Sequence, residues 1–224
     1  MRLYTYLKNN GNLTKSEVIK LDNENLIKVN GEKKNLSYII RPGDLVFIGK
    51  NKIDSVPFVY YLYNKPVGVI CTNDKSVNNN IYERIGINTR IYAIGRLDKD
   101  SHGLIILTND GMFTNSVIGK GNHLEKEYIV KVEKEINQDF INNIMKPVLI
   151  KNRLTLENKA YLIDDHTFGI ILKEGMYHQI RKIVLLNNNK VIDLKRIRIG
   201  NVNISLLEKE NKELIKIDNL KDII

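Results

Sequence analysis

The chain has 224 residues, 42% of them hydrophobic, and carries 35 Lys and Arg against 26 Asp and Glu, a net charge of +9. That length accommodates one large domain or two small ones with a packed core, and the basic excess favours a polyanionic partner without separating RNA from DNA or an anionic surface. No apolar run is long enough to span a bilayer and Met1-Arg2-Leu3-Tyr4 lacks a signal peptide's apolar core, so the expectation is a cytoplasmic protein with no membrane partner.

In chain order, Leu3, Tyr6 and Leu7 have helical spacing, and Thr14 with Glu17 three residues later is a capping box opening a second helix through about residue 21. Ile27-Lys28-Val29-Asn30-Gly31 reads as a strand and tight turn, and Leu45-Val46-Phe47-Ile48 as a closing strand. The polar stretch Gly49-Lys50-Asn51-Lys52, with Pro57 ahead of an apolar run, divides the chain into residues 1–52 and 56–224. In the second part Leu104-Ile105-Ile106-Leu107 reads as a buried strand ended by an Asn109-Asp110-Gly111 turn. Tyr128-Ile129-Val130-Lys131-Val132 alternates as a half-buried strand. Phe168-Gly169-Ile170-Ile171-Leu172 reads as another. Phe140, Ile141, Ile144 and Met145 have helical spacing, as do Ile180, Ile183, Val184 and the leucines after them. Arg196-Ile197-Arg198, if extended, puts both arginines on one strand face. The mixture defines an α+β protein.

Several chemistries are disfavoured. A single cysteine, Cys71, excludes an internal disulfide and a multi-cysteine metal site and reads as a small buried apolar residue. His102, His123, His166 and His178 show no paired metal-ligand spacing, and no glycine-rich phosphate loop follows a strand, so neither metal nor cofactor is expected. The informative stretch is Gly95-Arg96-Leu97-Asp98-Lys99-Asp100-Ser101-His102-Gly103, an acid among basic residues on a glycine-bounded loop that runs into the 104–107 strand. A strand behind a short loop can hold one carboxylate in place for a covalent or acid/base step, and Asp98 is the candidate. The competing reading is ordinary turn chemistry, with Asp98 paired to Arg96 or Lys99 at the surface.

Read with Asn64-Lys65-Pro66-Val67-Gly68 upstream and Lys126-Glu127-Tyr128 and Gly175-Met176-Tyr177-His178-Gln179-Ile180-Arg181 downstream, the stretch resembles the signature of the RsuA-family pseudouridine synthases, of the RluB, RluE and RluF type, with the RluF subgroup nearest. Here His123-Leu124 departs from that subgroup, as does a tail lacking its Gly and Trp-Arg element near residues 206–214. The resemblance implies a mixed, largely antiparallel catalytic sheet with flanking helices. It also implies isomerisation of a uridine to pseudouridine without a cofactor, after the nucleotide is flipped from its stack. On the matched positions, Asp98 is the catalytic carboxylate, Tyr128 stacks on the flipped uracil, and Arg181 pairs with Asp98.

The amino-terminal part resembles the S-four-type RNA-binding domain, with Lys15-Ser16 for the usual Ser-Arg and Asn25 where glycine is common. Lys8, Lys15, Lys20 and Lys28 are candidate phosphate contacts there. Lys65, Arg96, Lys99, Lys126, Gln179, Lys182, Lys195, Arg196 and Arg198 are candidates in the catalytic part. Ribosomal RNA is the implied partner, large-subunit 23S rRNA first, with small-subunit rRNA and tRNA as alternatives and a monomer as the family default. A noncatalytic RNA-binding or ribosome-assembly protein is the competing class.

Overall fold

The computed structural model describes residues 1–72, 74, 76–87, 89–118 and 124–218. The chain divides into two units, Met1–Phe58 and Val59–Ile224. In the first, α1 (Leu3–Asn10) buries Leu3, Tyr6 and Leu7 as their spacing requires. The second helix, α2 (Lys15–Asn23), opens on the expected capping box: the Thr14 hydroxyl accepts from the Glu17 amide at 3.3 Å, and the Thr14 amide donates to the Glu17 carboxylate at 2.6 Å. Asn25 adopts the left-handed conformation, φ 55°, which asparagine tolerates where glycine would otherwise serve.

Three antiparallel strands follow, β1 (Ile27–Val29), β2 (Val46–Ile48) and β3 (Asn51–Ile53), and Val18, Ile27, Val29 and Val46 join the helix residues in one core. The third strand corrects the linker reading of residues 49–52. Gly49, at φ 58°, turns the chain back tightly and Asn51-Lys52-Ile53 pairs with β2, so a boundary at residue 52 would cut a strand. Tyr6 ties this strand to α1 by donating its hydroxyl to the Ile53 carbonyl at 2.8 Å.

The second unit is built on a sheet of nine strands among the described residues. Its main path runs β10 (Lys159–Asp164), β11 (Thr167–Leu172), β7 (Lys126–Val132), β12 (Val191–Ile199), β6 (His102–Thr108), β4 (Tyr60–Lys65) and β14 (Leu214–Ile217). Two short strands, β5 (Tyr92–Ile94) and β13 (Val202–Asn203), pair with β6 and β12. All these pairs are antiparallel except β12 with β6, which gives the mixed, largely antiparallel α+β architecture.

Period-2 alternation sends side chains to two cores. Tyr63, Ile105, Leu107, Tyr128, Val130, Val132, Phe168, Ile170 and Leu194 pack with α3 (Ile81–Ile85), α5 (Gln138–Ile144) and α6 (Gln179–Leu186). Tyr60, Leu62, Leu104, Ile106 and Ile199 pack with α4 (Gly111–Ile118) and α7 (Ser205–Lys209). The leucines closing α6, Leu185 and Leu186, are exposed, unlike Ile180, Ile183 and Val184. The expected turn after β6 is a helix entry instead: the Asp110 carboxylate accepts the Met112 and Phe113 amides at 3.0 and 3.1 Å, and Gly111 is the first residue of α4.

Asp110 also accepts the Tyr60 hydroxyl at 2.8 Å, and Tyr60 packs edge-on against Phe113. Burial, reinforced by that hydrogen bond, pushes the Tyr60 phenol up to about 12, and burial with Glu213 pushes Tyr63 up as well. An unfolded tyrosine releases its proton near pH 10. Between pH 10 and 12 the unfolded chain therefore binds fewer protons than the native one, and stability falls as pH rises. Tyr60→Phe should flatten this alkaline loss, measured as the denaturation midpoint between pH 9 and 11.5; an unchanged slope would contradict the assignment.

Candidate active site

Residues 95–101 join β5 to β6 and carry Asp98, whose side chain is 37% exposed. The loop is held from inside and from two neighbouring elements. Gly95 turns it at φ 73°, Leu97 is buried in the larger core, and the Ser101 amide donates to the Asp98 carbonyl at 3.1 Å. From the end of β4, Gly68 at φ 90° donates its amide to the Lys99 carbonyl at 2.8 Å. From α6, the Arg181 Nη2 donates to the Asp100 carbonyl at 2.9 Å and to the Ser101 hydroxyl at 3.3 Å.

Arg181 thus reaches the Asp98 loop across 80 residues of sequence, but through the Asp100 carbonyl and the Ser101 hydroxyl. No ion pair within 4.0 Å joins Arg181 to Asp98, so the expected direct pairing is corrected to a clamp on the loop. The group facing the carboxylate is His178, with Nε2 at 3.6 Å from the Asp98 Oδ1. His178 sits at the N-cap of α6 in the left-handed conformation, φ 54°, uncommon outside glycine although histidine tolerates it better than most residues. In the sequence it is one member of the Gly175–Arg181 motif, and nothing in the residue string signals that backbone twist.

Lys65 and Arg196 lie beneath the loop rather than on a surface track. Lys65 is fully buried and donates from Nζ to the Pro66 and Val69 carbonyls at 2.8 and 2.9 Å, shaping the turn that presents Gly68 to Lys99. Burial pushes its ammonium down, partly offset by Cys71, Asp100 and Asp98. Cys71 is buried in the same core, as its apolar neighbours imply.

Arg196 is 3% exposed, donates from Nε to the Leu104 carbonyl at 2.7 Å, and leaves Nη2 without a hydrogen-bond partner among the described residues. It pairs with Gly103 on β6 and Tyr128 on β7, and Gly103 pairs in turn with Lys65 on β4. One row across the sheet therefore carries Lys65, Gly103, Arg196 and Tyr128. Burial, with Arg196 adding, pushes the Lys126 ammonium down.

The expectation that Arg196 and Arg198 share a face fails because β12 shifts register between them, and a bulge reorients the residues that follow. Arg198 is bound instead to Glu127 at 2.6 Å and Glu125 at 3.2 Å. Gln179 is also removed from the surface set: it is buried, accepting the Met176 amide at 2.9 Å and donating to Glu174 at 3.2 Å. Lys195 pairs with Glu208 at 2.8 Å. Arg96, Lys99, Lys15, Lys20 and Lys28 are exposed, and Lys8 lies over the Tyr4 ring.

The Tyr128 ring is buried in the same core as Leu97, two strands from the one the Asp98 loop enters. The only metal-compatible group among the described residues, Glu135, Asp165 and His166, contains none of these residues. The departure at His123 lies outside the described residues.

The loop carrying Asp98 thus brings together a partly exposed carboxylate, the His178 imidazole and the Arg181 guanidinium, with Tyr128 buried in the core that also takes Leu97. The profile of the RNA pseudouridylate synthase family matches residues 59–186. Over 208 residues the chain is 33% identical to the dual-specificity RNA pseudouridine synthase RluF of Escherichia coli strain K12, covering 92% of this chain and 72% of that protein. It is 29% identical to the ribosomal small subunit pseudouridine synthase A of Haemophilus influenzae, covering 90% of each. A crystal structure of a pseudouridylate synthase superposes on all of this chain and 98% of its own with a TM-score of 0.67 at 27% identity. The chain belongs to the RNA pseudouridylate synthase family and is an isomerase, and its relatives support an RluF-like subgroup.

Proposed function

We propose that this protein converts a specific uridine of ribosomal RNA to pseudouridine, with Asp98 as the catalytic carboxylate and large-subunit rRNA as the first substrate to test. The observation that carries the reading is the threefold anchoring of the 95–101 loop around Asp98. The reaction breaks the bond between ribose C1′ and uracil N1, rotates the base and joins C1′ to C5. The C5 proton is lost and N1 gains one, so nothing is oxidised and no donor is consumed. Attack at C1′ and removal of the C2′ proton both need an ionised carboxylate at a fixed point, which the anchored loop supplies.

Tyr128 is the stacking partner for the flipped uracil, a flat ring suited to holding a detached base while it turns. The amino-terminal unit is an S-four-type RNA-binding domain whose exposed Lys15, Lys20 and Lys28 contribute phosphate contacts. The protein acts in the cytoplasm as a monomer. Support for rRNA comes from the relatives' names and the net charge of +9.

Loss of the C5 hydrogen gives a direct assay. The purified protein should release tritium from 23S transcripts made with 5-tritiated uridine and release none from 16S transcripts or tRNA labelled in the same way; no release from any of the three would overturn the reading. Arg181 provides a second check. Because it fixes the loop, Arg181→Met should lower single-turnover rates about 100-fold with RNA affinity little changed. Arg181→Lys should retain part of the rate. Wild-type rates with weakened RNA binding would make Arg181 a phosphate contact.

A further inference from the structure

The entrance to α6 carries an aromatic and basic cluster that the catalytic assignment does not use. Tyr177 is 65% exposed, and one ring contact is already taken: it stacks on His178 with centroids 3.9 Å apart and planes 18° apart. Two ammonium groups lie over the same ring, Lys182 Nζ at 5.1 Å and Lys151 Nζ at 5.4 Å from its centroid. Neither lysine has a carboxylate within 4.0 Å among the described residues, although Lys182 donates to the Tyr177 carbonyl at 2.8 Å. Two like charges gathered on one ring repel each other, and an anion between them relieves that repulsion.

The cluster is built by specific contacts. Lys151 and Asn152 form the two-residue turn between β8 (Leu149–Ile150) and β9 (Arg153–Leu154), with both residues left-handed, at φ 49° and 61°. That turn favours asparagine and glycine, and a lysine at its first position is strained by the contact of its Cβ with the backbone. Glu174 ties the hairpin to the start of α6: its carboxylate accepts from Arg153 at 3.1 Å, the Leu156 amide at 2.8 Å and the Gln179 side chain at 3.2 Å. A residue unfavourable for its turn is thus held over an exposed ring. That ring is one contact from His178, which lies against Asp98.

We infer that Lys151, Lys182 and Tyr177 form a phosphate clamp for the RNA strand beside the target uridine. The ring holds the two ammoniums in place, and the bridging contact through His178 sets the register of the strand relative to Asp98. The inference rests on Asp98 being the reacting group, but its test reads binding alone.

The probe is a single-stranded, uridine-rich RNA of 15 nucleotides, with affinity for the 224-residue chain measured over 50 to 300 mM salt. Lys151→Asn and Lys182→Met should each reduce the slope of log affinity against log salt by about 0.7, and the double variant by about 1.4. Lys209→Met, at the exposed end of α7, should leave the slope unchanged. Because asparagine suits the turn, Lys151→Asn should also raise the thermal midpoint while weakening RNA binding. A purely structural lysine would move only stability. Unchanged slopes in the double variant, or a loss equal to that of Lys209→Met, would overturn the clamp. Tritium release by the wild-type protein tests the catalytic reading separately, so the failure of one is distinct from the failure of the other.

Discussion

Asp98→Asn should lower turnover by more than about 1,000-fold while leaving the fold and RNA affinity in place. The structural contribution of residue 98 comes from its backbone, whose carbonyl accepts the Ser101 amide at 3.1 Å, and an asparagine keeps that bond. Its side chain is partly exposed and its one ion-pair contact within 4.0 Å among the described residues is His178, so the melting temperature should move little. RNA affinity should rise slightly, because one negative charge is removed beside the phosphates. Turnover and filter binding on the same transcript would separate these effects; a variant with wild-type rates would remove Asp98 from the chemistry.

The largest effect on stability is expected at Gly103. This residue has φ 103°, and a Cβ placed on it would come within 2.3 Å of the Arg196 carbonyl oxygen and 2.8 Å of its amide nitrogen. Both atoms belong to the neighbouring strand β12, so relief requires moving a central strand of the sheet rather than turning a side chain. Gly103→Ala should therefore cost about 3 kcal/mol or more, combining backbone strain with overpacking. It should also lower activity, because Arg196 and the Asp98 loop would shift together. Gly111→Ala is the contrasting case: nothing lies within 4 Å of its Cβ position, at the first residue of α4, so its effect should be neutral or slightly stabilising. Denaturant midpoints for the two variants would check the pair, and equal midpoints would contradict this account of the sheet.

Much of the scaffold could be read from residue order alone, because the relevant signals are local. The capping box at Thr14 and Glu17, the alternation from Tyr128 to Val132 and the apolar run before Thr108 each depend on neighbours within a few positions. The motifs also brought Asp98 and Arg181 to the same place. What stayed hidden depends on register and burial.

A bulge between Arg196 and Arg198 separates two arginines that simple alternation would place together, burying one and pairing the other with Glu125 and Glu127. Lys65 and Gln179 carry polar groups that look suited to a surface but satisfy backbone and carboxylate partners inside the unit. Gly49 reads as a linker residue until β3 is seen to pair with β2. The shorter of the two contacts of Arg181 is to a backbone carbonyl, and a carbonyl has no identity in a sequence. His178 and Lys151 owe their placement to left-handed backbone conformations, which no local pattern in the residue string marks.

The most direct test of the central claim is a pseudouridine map of ribosomal RNA from three strains: one with the gene, one without it, and one complemented with the Asp98→Asn form. The account predicts at least one rRNA pseudouridine, in the large subunit, that disappears with the gene and is not restored by the asparagine variant. Identical maps in all three strains, or restoration of the missing site by Asp98→Asn, would contradict it.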